Sequence, residues 1–137
     1  MIAIDTNVLV RLLVKDDASQ TAQVVALFGR LSKRGERARV SDIVLCELVW
    51  VLTRSYGFGR TEVVAVIQKL ATARQLALSS TDSVLRAVRA FESGKGDLAD
   101  YLIREDAVGA NCDSVATFDK ALLREATFVR VVGAVTE

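Results

Sequence analysis

Residues 1–14, MIAIDTNVLVRLLV, hold the pattern from which the rest of the sequence can be interpreted. The run Ile2, Ala3 and Ile4 has no polar face, which predicts a short strand at the buried centre of a parallel sheet. After Asp5, apolar residues recur at helical spacing, so we expect a helix over 6–14. Asp5 therefore lies between a strand and a helix, at the edge where open α/β sheets bind ligands.

Asp5 has two interpretations. It is either a helix N-cap, a role for which Asp is among the best residues, or a functional carboxylate at the sheet edge. Residues 1–14 alone support both equally, and the rest of the chain has to separate them.

Composition limits the kind of protein this can be. With 137 residues, of which 51% are hydrophobic, we expect one folded domain spanning 1–137. No apolar run reaches the roughly 18 residues that cross a bilayer, so we expect no membrane partner. Met1 leads directly into a strand, which leaves no room for a signal peptide and predicts a cytoplasmic protein. Cys46 and Cys112 are far apart and are interpreted as small buried hydrophobic residues.

The chain contains no histidine, which removes histidine metal sites and the Ser-His-Asp triad. Two widely spaced cysteines also exclude a zinc site of the usual kind. Any metal must therefore bind through oxygen, which favours Mg²⁺ or Mn²⁺. The net charge of +1 gives little sign of a nucleic-acid binder, although arginines outnumber lysines.

Short apolar strands alternate with amphipathic helices along the chain, a pattern typical of an α/β fold with right-handed crossovers. We expect a central, mostly parallel five-stranded sheet flanked by helices on both faces. The predicted strands are 2–4, 38–40, 75–78, 113–116 and 128–132, and the predicted helices are 6–14, 18–32, 43–56, 61–73, 82–92, one beginning at Asp97, and 120–126.

Glu47 lies within the third predicted helix, with Ile43 and Val51 one turn away on either side. A carboxylate on such an apolar stripe would cost several kcal/mol if it were buried without a partner. We therefore expect a cation, a hydrogen-bond donor or a cleft beside it. The alternative is a glutamate at the helix edge, paired with Arg54 or another arginine.

Asp97 and Asp100 begin a later helix at the N-cap and N3 positions. A capping box, with favourable charge at the helix N-terminus, is the simpler interpretation of this pair. The functional interpretation directs Asp100 towards the same cleft as Asp5. Asp119 repeats the arrangement of Asp5, as an acid just beyond an apolar strand.

Parallel strands end at one edge of a sheet, so Asp5 and Asp119 are expected to be neighbours there, and Glu47 and Asp100 can reach the same edge. At about 5 Å and an effective dielectric of about 20, each carboxylate pair costs on the order of 3 kcal/mol. Such a cluster requires protonation or a divalent cation. A bound Mg²⁺ or Mn²⁺ would polarise a phosphodiester, and Glu47 or Asp119 would orient the attacking water.

Four stretches resemble PIN-domain ribonucleases, and most closely the VapC toxins of bacterial and archaeal toxin–antitoxin pairs. The stretches are Ile4-Asp5-Thr6-Asn7, Glu47, Ala99-Asp100-Tyr101-Leu102-Ile103 and Ala116-Thr117-Phe118-Asp119. They occur in the family's order and extend over essentially the whole chain. The resemblance implies a PIN-like three-layer sandwich and an endoribonuclease that uses Mg²⁺ or Mn²⁺. It also implies an RNA substrate, a homodimer, and a cognate antitoxin that inhibits the enzyme in a hetero-oligomer.

The resemblance also implies roles for individual residues. Asp5, Glu47, Asp100 and Asp119 correspond to the family's acidic quartet, which binds metal and carries catalysis, and Thr6, Asn7 and Thr117 correspond to supporting polar residues. Asp97 could exchange with Asp100 through a shift of register. Asp100 is favoured because Asp-Tyr-Leu-Ile matches the family's acid followed by an apolar helix.

Other protein classes fit less well. A phosphoacceptor receiver domain would have paired acids after its first strand, and a phospho-aspartate phosphatase would have an acid in place of Asn7. A catalytically idle PIN-like module that binds RNA or protein is the remaining alternative. The glycine-rich loop 93–96 lacks the P-loop pattern and is interpreted as a connection. The basic loop 33–39 is interpreted as a solvated turn, with contact to a nucleic-acid backbone as its alternative.

Overall fold

The structure is a computed structural model and describes residues 1–131. Within these residues the chain forms six helices and five short strands. It divides into two compact units, one covering Met1–Thr81 and a second that begins at Asp82. Both units contain parallel strands and helices, so the predicted α/β class is confirmed.

The first unit contains a parallel sheet of three strands in the order β1-β2-β3. Ile2 pairs with Ala38, and Ala38 in turn pairs with Leu76. The elements of this unit are β1 (Ile2–Ala3), α1 (Thr6–Leu13), α2 (Ala18–Lys33), β2 (Ala38–Val40), α3 (Asp42–Tyr56), α4 (Arg60–Ala71) and β3 (Leu76–Leu78). These bounds agree with the predicted elements to within two residues at each end.

Local capping explains why the helices of the first unit begin and end where they do. Asp17 accepts a hydrogen bond from the Gln20 backbone N–H at 3.0 Å and so starts α2. Ser41 accepts one from the Val44 N–H at 3.2 Å and starts α3 in the same way. Gly57 ends α3 with a φ of 69°, a left-handed conformation that favours glycine.

The core of the first unit is built largely by α3 and α4. Leu45, Leu48 and Leu52 are fully buried, and Ile67 of α4 is fully buried as well. The apolar residues of α3 also extend around its outer side, where Ile43 and Trp50 are 73% and 60% exposed. The predicted apolar stripe was therefore wider than the face that the core covers.

The second unit contains a parallel pair of strands. Its elements are α5 (Thr81–Ser93), which starts at the last residue of the first unit, α6 (Leu98–Gly109), β4 (Val115–Thr117) and β5 (Phe128–Arg130). Phe128 packs edge-on against the buried ring of Tyr101, with ring centroids 6.4 Å apart. Arg104 lies over both rings and donates to the Ala126 carbonyl at 3.1 Å, which fixes the segment before β5.

The predicted five-stranded sheet is not formed as one sheet in residues 1–131, because the strands pair as a group of three and a group of two. The prediction of a buried central first strand also fails for β1. Ile2 is 44% exposed and Ala3 is exposed, because β1 is an outer strand of its sheet. Ile4, just after the strand, is buried at 6% exposure.

The predicted helix over 120–126 is wrong. This segment forms consecutive turns, in which Leu122 N–H donates to the Asp119 carbonyl and Glu125 N–H donates to the Leu122 carbonyl. Bonds across three residues, followed by a φ of 81° at Thr127, keep the segment from becoming an α-helix. The last strand begins at Phe128 as predicted, whereas Val132 lies outside the described residues.

The two cysteines are more exposed than the sequence predicts. Cys46 is half-buried and Cys112 is exposed, so the prediction that both are buried is wrong. Across residues 1–131, every helix is too short or too polar to cross a bilayer.

The two sides of α3 predict different responses to truncation. Leu48→Ala should lower the free energy of unfolding by about 2–5 kcal/mol, because it opens a cavity in the core. Ile43→Ala on the outer side should change it by about 0.5 kcal/mol or less. Urea denaturation followed by circular dichroism measures both. Equal losses would contradict the assignment of the buried side of α3.

Candidate active site

Asp5 and Thr6 occupy the junction between β1 and α1. Asp5 is exposed and extended at the N-cap of α1, where its Oδ1 accepts a hydrogen bond from the Thr6 backbone N–H at 2.7 Å. Thr6 itself is buried at 6% exposure. The N-cap interpretation of Asp5 is therefore confirmed, and the bond fixes the direction of its carboxylate.

Glu47 is held by the same threonine. The Thr6 hydroxyl donates to Glu47 Oε1 at 3.1 Å, which joins the start of α1 to α3. Glu47 is exposed, so the expectation that its burial would require a partner is wrong. Within residues 1–131 Glu47 forms no ion pair with Arg54 or another arginine, so the pairing alternative is wrong, and Arg54 lies over the Trp50 ring at 5.8 Å from its centroid.

Asn7 is placed differently from its two neighbours. It is exposed and lines a concavity of about 400 Å³ together with Arg11, Gln20 and other residues of α1 and α2. Its side chain makes no hydrogen bond to Asp5 or Glu47 in the described part of the chain. The expected support for these two acids comes from Thr6 and not from Asn7.

Asp100 lies in the first turn of α6 and is partly buried. Its Oδ2 accepts a hydrogen bond from the Asp97 backbone N–H at 2.8 Å, as the capping interpretation predicts. Burial raises the pKa of Asp100 above its usual value, and the nearby carboxylates of Asp97, Asp119 and Glu125 raise it further. The bond from Asp97 is the opposing influence, because it favours the charged form.

Asp119 follows β4 and is exposed, and its charge acts on Asp100 within the second unit. Its backbone N–H donates to Thr117 Oγ1 at 3.0 Å, and its Oδ1 accepts from the Ala121 N–H at 2.9 Å. Thr117 therefore fixes the backbone of Asp119, while the turn that follows fixes its carboxylate. The expectation that Thr117 supports an acid agrees with this geometry.

Glu125 is an acid that the sequence analysis did not identify. Tyr101 is fully buried, and its hydroxyl hydrogen-bonds to the Glu125 carboxylate at 2.8 and 2.9 Å. The same hydroxyl accepts from the Gly96 N–H at 2.9 Å, and Glu125 accepts from the Lys95 N–H at 3.3 Å. The signal available in sequence was weak. A buried tyrosine needs a hydroxyl partner, but its identity depends on the fold.

The glycine-rich loop 93–96 is more than a connection, contrary to its interpretation from sequence. A Cβ at Gly94 would lie 2.0 Å from the Tyr101 hydroxyl, and one at Gly96 would lie 2.9 Å from Asp100 Oδ2. Both distances are too short for a side chain. The two glycines are therefore required by the close packing of this loop against Tyr101 and Asp100.

The four acids predicted from sequence share one feature. In each of Asp5, Glu47, Asp100 and Asp119, one carboxylate oxygen accepts a hydrogen bond, and in the part of the chain that the structure describes the other accepts none. Each carboxylate is thus oriented while one oxygen stays available. Glu125 differs, because both of its oxygens accept from Tyr101.

Carboxylate oxygens are the donors that Mg²⁺ and Mn²⁺ prefer, so these residues fit such an ion by their chemistry. The congestion of negative charge around Asp100 is a second observation that favours a cation. No group of three His, Cys, Asp or Glu side chains within residues 1–131 is already close enough to hold an ion.

The family model described as PIN domain matches residues 2–128, which includes all the acids discussed above. No curated protein matches the chain.

The raised pKa of Asp100 predicts how stability depends on pH. The folded protein binds the proton of the Asp100 carboxyl more tightly than the unfolded chain does. The stabilisation from Asp100 is therefore fully present when the pH is below the pKa that Asp100 has in the unfolded chain. It is lost as the pH rises through the folded pKa. Asp100→Asn should therefore raise Tm at pH 7 by roughly 1–3 °C without metal, and the gain should shrink as the pH falls. Asp113→Asn, at an exposed position, is the control. A lower Tm for Asp100→Asn at pH 7 would contradict this prediction.

Proposed function

The chain belongs to the PIN domain family, and on that premise we propose that it is a metal-dependent endoribonuclease. Members of this family are generally nucleases that use divalent metal ions. The observation that carries the proposal for this chain is the state of its four acids, each held through one oxygen with the other available. Asp17 caps α2 through one oxygen in the same way, so what distinguishes these four acids is that they also match the acidic quartet of the family they resemble.

Asp5, Glu47, Asp100 and Asp119 are the residues that we propose to hold Mg²⁺ or Mn²⁺. The bound ion would supply electrophilic activation of the phosphodiester and a water nucleophile at neutral pH. The chain's contribution is to keep the carboxylates oriented before the substrate arrives. Thr6 does so for Asp5 and Glu47, and the first turn of α6 does so for Asp100.

Either Glu47 or Asp119 would orient the water that attacks the phosphorus. Both are exposed, so their carboxylates are accessible to solvent, and each has one oxygen fixed by a hydrogen bond. An acceptor oriented in this way reduces the reorganisation that the reaction requires. Burial and the neighbouring carboxylates raise the pKa of Asp100, so protons should compete with a cation for this carboxylate more strongly as the pH falls.

The proposal predicts that purified protein cleaves RNA only when a divalent metal is present. Asp5→Asn and Asp100→Asn should reduce the rate of cleavage by about 100-fold or more, because each removes a metal-binding charge. Asp97→Asn is the matched control for Asp100→Asn, since it changes an acid three residues away at the same helix end. Total RNA and transfer RNA, incubated with Mg²⁺, Mn²⁺ or chelator, are the substrates.

Each other outcome has a distinct meaning. Equal cleavage by wild type and both variants would mean either that a contaminating enzyme cuts the RNA or that Asp5 and Asp100 are only helix caps, and either result would contradict the proposal. Loss of cleavage in Asp97→Asn but not in Asp100→Asn would assign the functional role to Asp97 instead of Asp100. A Tm that does not respond to Mn²⁺, together with absence of cleavage, would favour the idle PIN-like binding module.

We further propose that the nuclease acts as the toxin of a toxin–antitoxin pair, is inhibited by a cognate antitoxin, and forms a homodimer. The support is the resemblance of its four motifs to VapC toxins, together with the exposed Ile43 and Trp50, which suit a protein partner. Induced expression in a bacterial host should stop growth for the wild type but not for Asp100→Asn. Co-expression of a small protein encoded next to it should restore growth. Normal growth with abundant wild-type protein would reject the toxin role and leave the nuclease proposal intact.

A further inference from the structure

Four cationic side chains of the second unit line two concavities that share residues. Lys95, Lys120 and Arg124 line one of about 540 Å³. Lys120, Arg124 and Arg130 line the other, of about 600 Å³. All four side chains are exposed. Because Lys120 and Arg124 belong to both concavities, the four residues form one continuous surface, which we call the basic surface.

The charge of the basic surface is not neutralised by its neighbours. Within residues 1–131, none of the four cations forms an ion pair. Glu125 lines the concavity of about 540 Å³, but its oxygens accept from the Tyr101 hydroxyl and the Lys95 backbone N–H. The side-chain ammonium and guanidinium groups therefore remain available to an external anion.

The basic surface begins beside an acid of the candidate active site. Lys120 follows Asp119 directly, and the Asp119 carboxylate is held by the backbone of Ala121 in the same turn. The turns over 119–125 thus carry a metal-binding candidate at one end and phosphate-binding candidates along the rest. A polyanion whose phosphodiester lay at Asp119 would extend its neighbouring phosphates over Lys120 and Arg124.

An exposed aromatic ring indicates the kind of anion. Phe118, immediately before Asp119, is 85% exposed. A ring in this position offers a stacking platform for a nucleobase, and a stacked base is worth about 1–3 kcal/mol in single-stranded complexes. Acidic proteins and anionic membranes offer no base to stack. The combination of cations and an exposed ring therefore favours nucleic acid.

The other basic segment of the chain is built differently. In the loop 33–39, Arg37 donates to the backbone carbonyls of Arg74 and Leu76 at 3.1 and 2.5 Å, and Arg39 donates to Ser79 at 3.1 Å. These arginines hold the first unit together. Lys33, the last residue of α2, and Arg34, which follows it, are exposed. They supply two positive charges that can be compared with those of Lys120 and Arg124.

We propose that the basic surface, and Lys120 and Arg124 above all, binds the backbone phosphates of the RNA that the enzyme cleaves. This inference rests on the proposed nuclease function for the identity of the ligand. Phosphate contacts by Lys and Arg release counterions, so they contribute affinity that decreases with salt and does not depend on base sequence.

The test is a comparison of two double variants that each remove two positive charges. Lys120→Gln/Arg124→Gln changes the basic surface, and Lys33→Gln/Arg34→Gln changes the loop. Binding of a fluorescein-labelled single-stranded RNA is followed by fluorescence anisotropy over 50–200 mM KCl, with chelator present to prevent metal-dependent cleavage. Thermal denaturation verifies that both variants are folded.

For the first double variant, Kd should rise roughly 10-fold at moderate salt. The slope of log affinity against log salt should decrease by about 1.4, or about 0.7 for each lost contact. The loop variant should change Kd less than about 2-fold. In cleavage assays the first variant should raise KM and leave kcat within about 3-fold. The reason is that Lys120 and Arg124 contact the substrate at a distance from the bond that is cleaved.

Equal weakening by the two double variants, or no weakening by Lys120→Gln/Arg124→Gln, would overturn the inference. Competition by polyglutamate or anionic vesicles as strong as that by RNA of equal charge would also overturn it, because the ligand would then not be RNA. Binding is measured without cleavage, so the nuclease proposal can fail while the basic surface still binds RNA. Conversely, RNA cleavage that is unaffected by the first double variant would reject the basic surface alone.

Discussion

Thr6 makes the contact on which the acids of the first unit depend. Its backbone N–H holds Asp5 at 2.7 Å and its hydroxyl holds Glu47 at 3.1 Å, so one small residue orients two carboxylates, one adjacent to it and one 41 positions away. Thr6 is buried, and a buried hydroxyl without an acceptor would cost about 1–3 kcal/mol. The hydroxyl bond therefore contributes to the α1–α3 contact and sets the direction of Glu47, whereas the backbone N–H sets the direction of Asp5. An alanine would lose the hydroxyl, and a serine would keep it with less apolar packing.

Tyr101 plays the corresponding part in the second unit. Its hydroxyl connects Gly96 and Glu125, and its ring packs against Phe128, so the glycine loop, α6 and the last turns meet at one buried side chain. Gly94 and Gly96 allow this approach, because a Cβ at either position would collide with the tyrosine hydroxyl or with Asp100. Asp100 precedes Tyr101 directly and is therefore placed by the same packing. Charge crowding at Asp100 is the cost of bringing these segments together, and it favours a cation.

The parts of the fold that depend on neighbouring residues could be predicted from sequence. Asp5, Asp17 and Ser41 cap their helices, and Gly57 ends one, because these effects act over three or four residues. Periodicity could not show which face of α3 meets the core, so the predicted stripe that includes Ile43 and Glu47 is partly exposed. The segment 120–126 has helix-forming residues, but between β4 and β5 it forms successive turns closed by bonds across three residues. Glu125 could not be predicted, because its partner Tyr101 lies 24 positions away.

The capping and functional interpretations of the acids proved not to exclude each other. Asp5 caps α1 through Oδ1, and Asp100 accepts the Asp97 N–H through Oδ2, yet a carboxylate has two oxygens and about four lone pairs. A cap bond uses one lone pair and fixes the rotamer, which directs the second oxygen without occupying it. It also favours the charged form, which is the form that binds a cation. Helix N-termini therefore suit such acids for two reasons. The backbone orients the carboxylate, and the helix dipole offsets part of its charge before any metal binds.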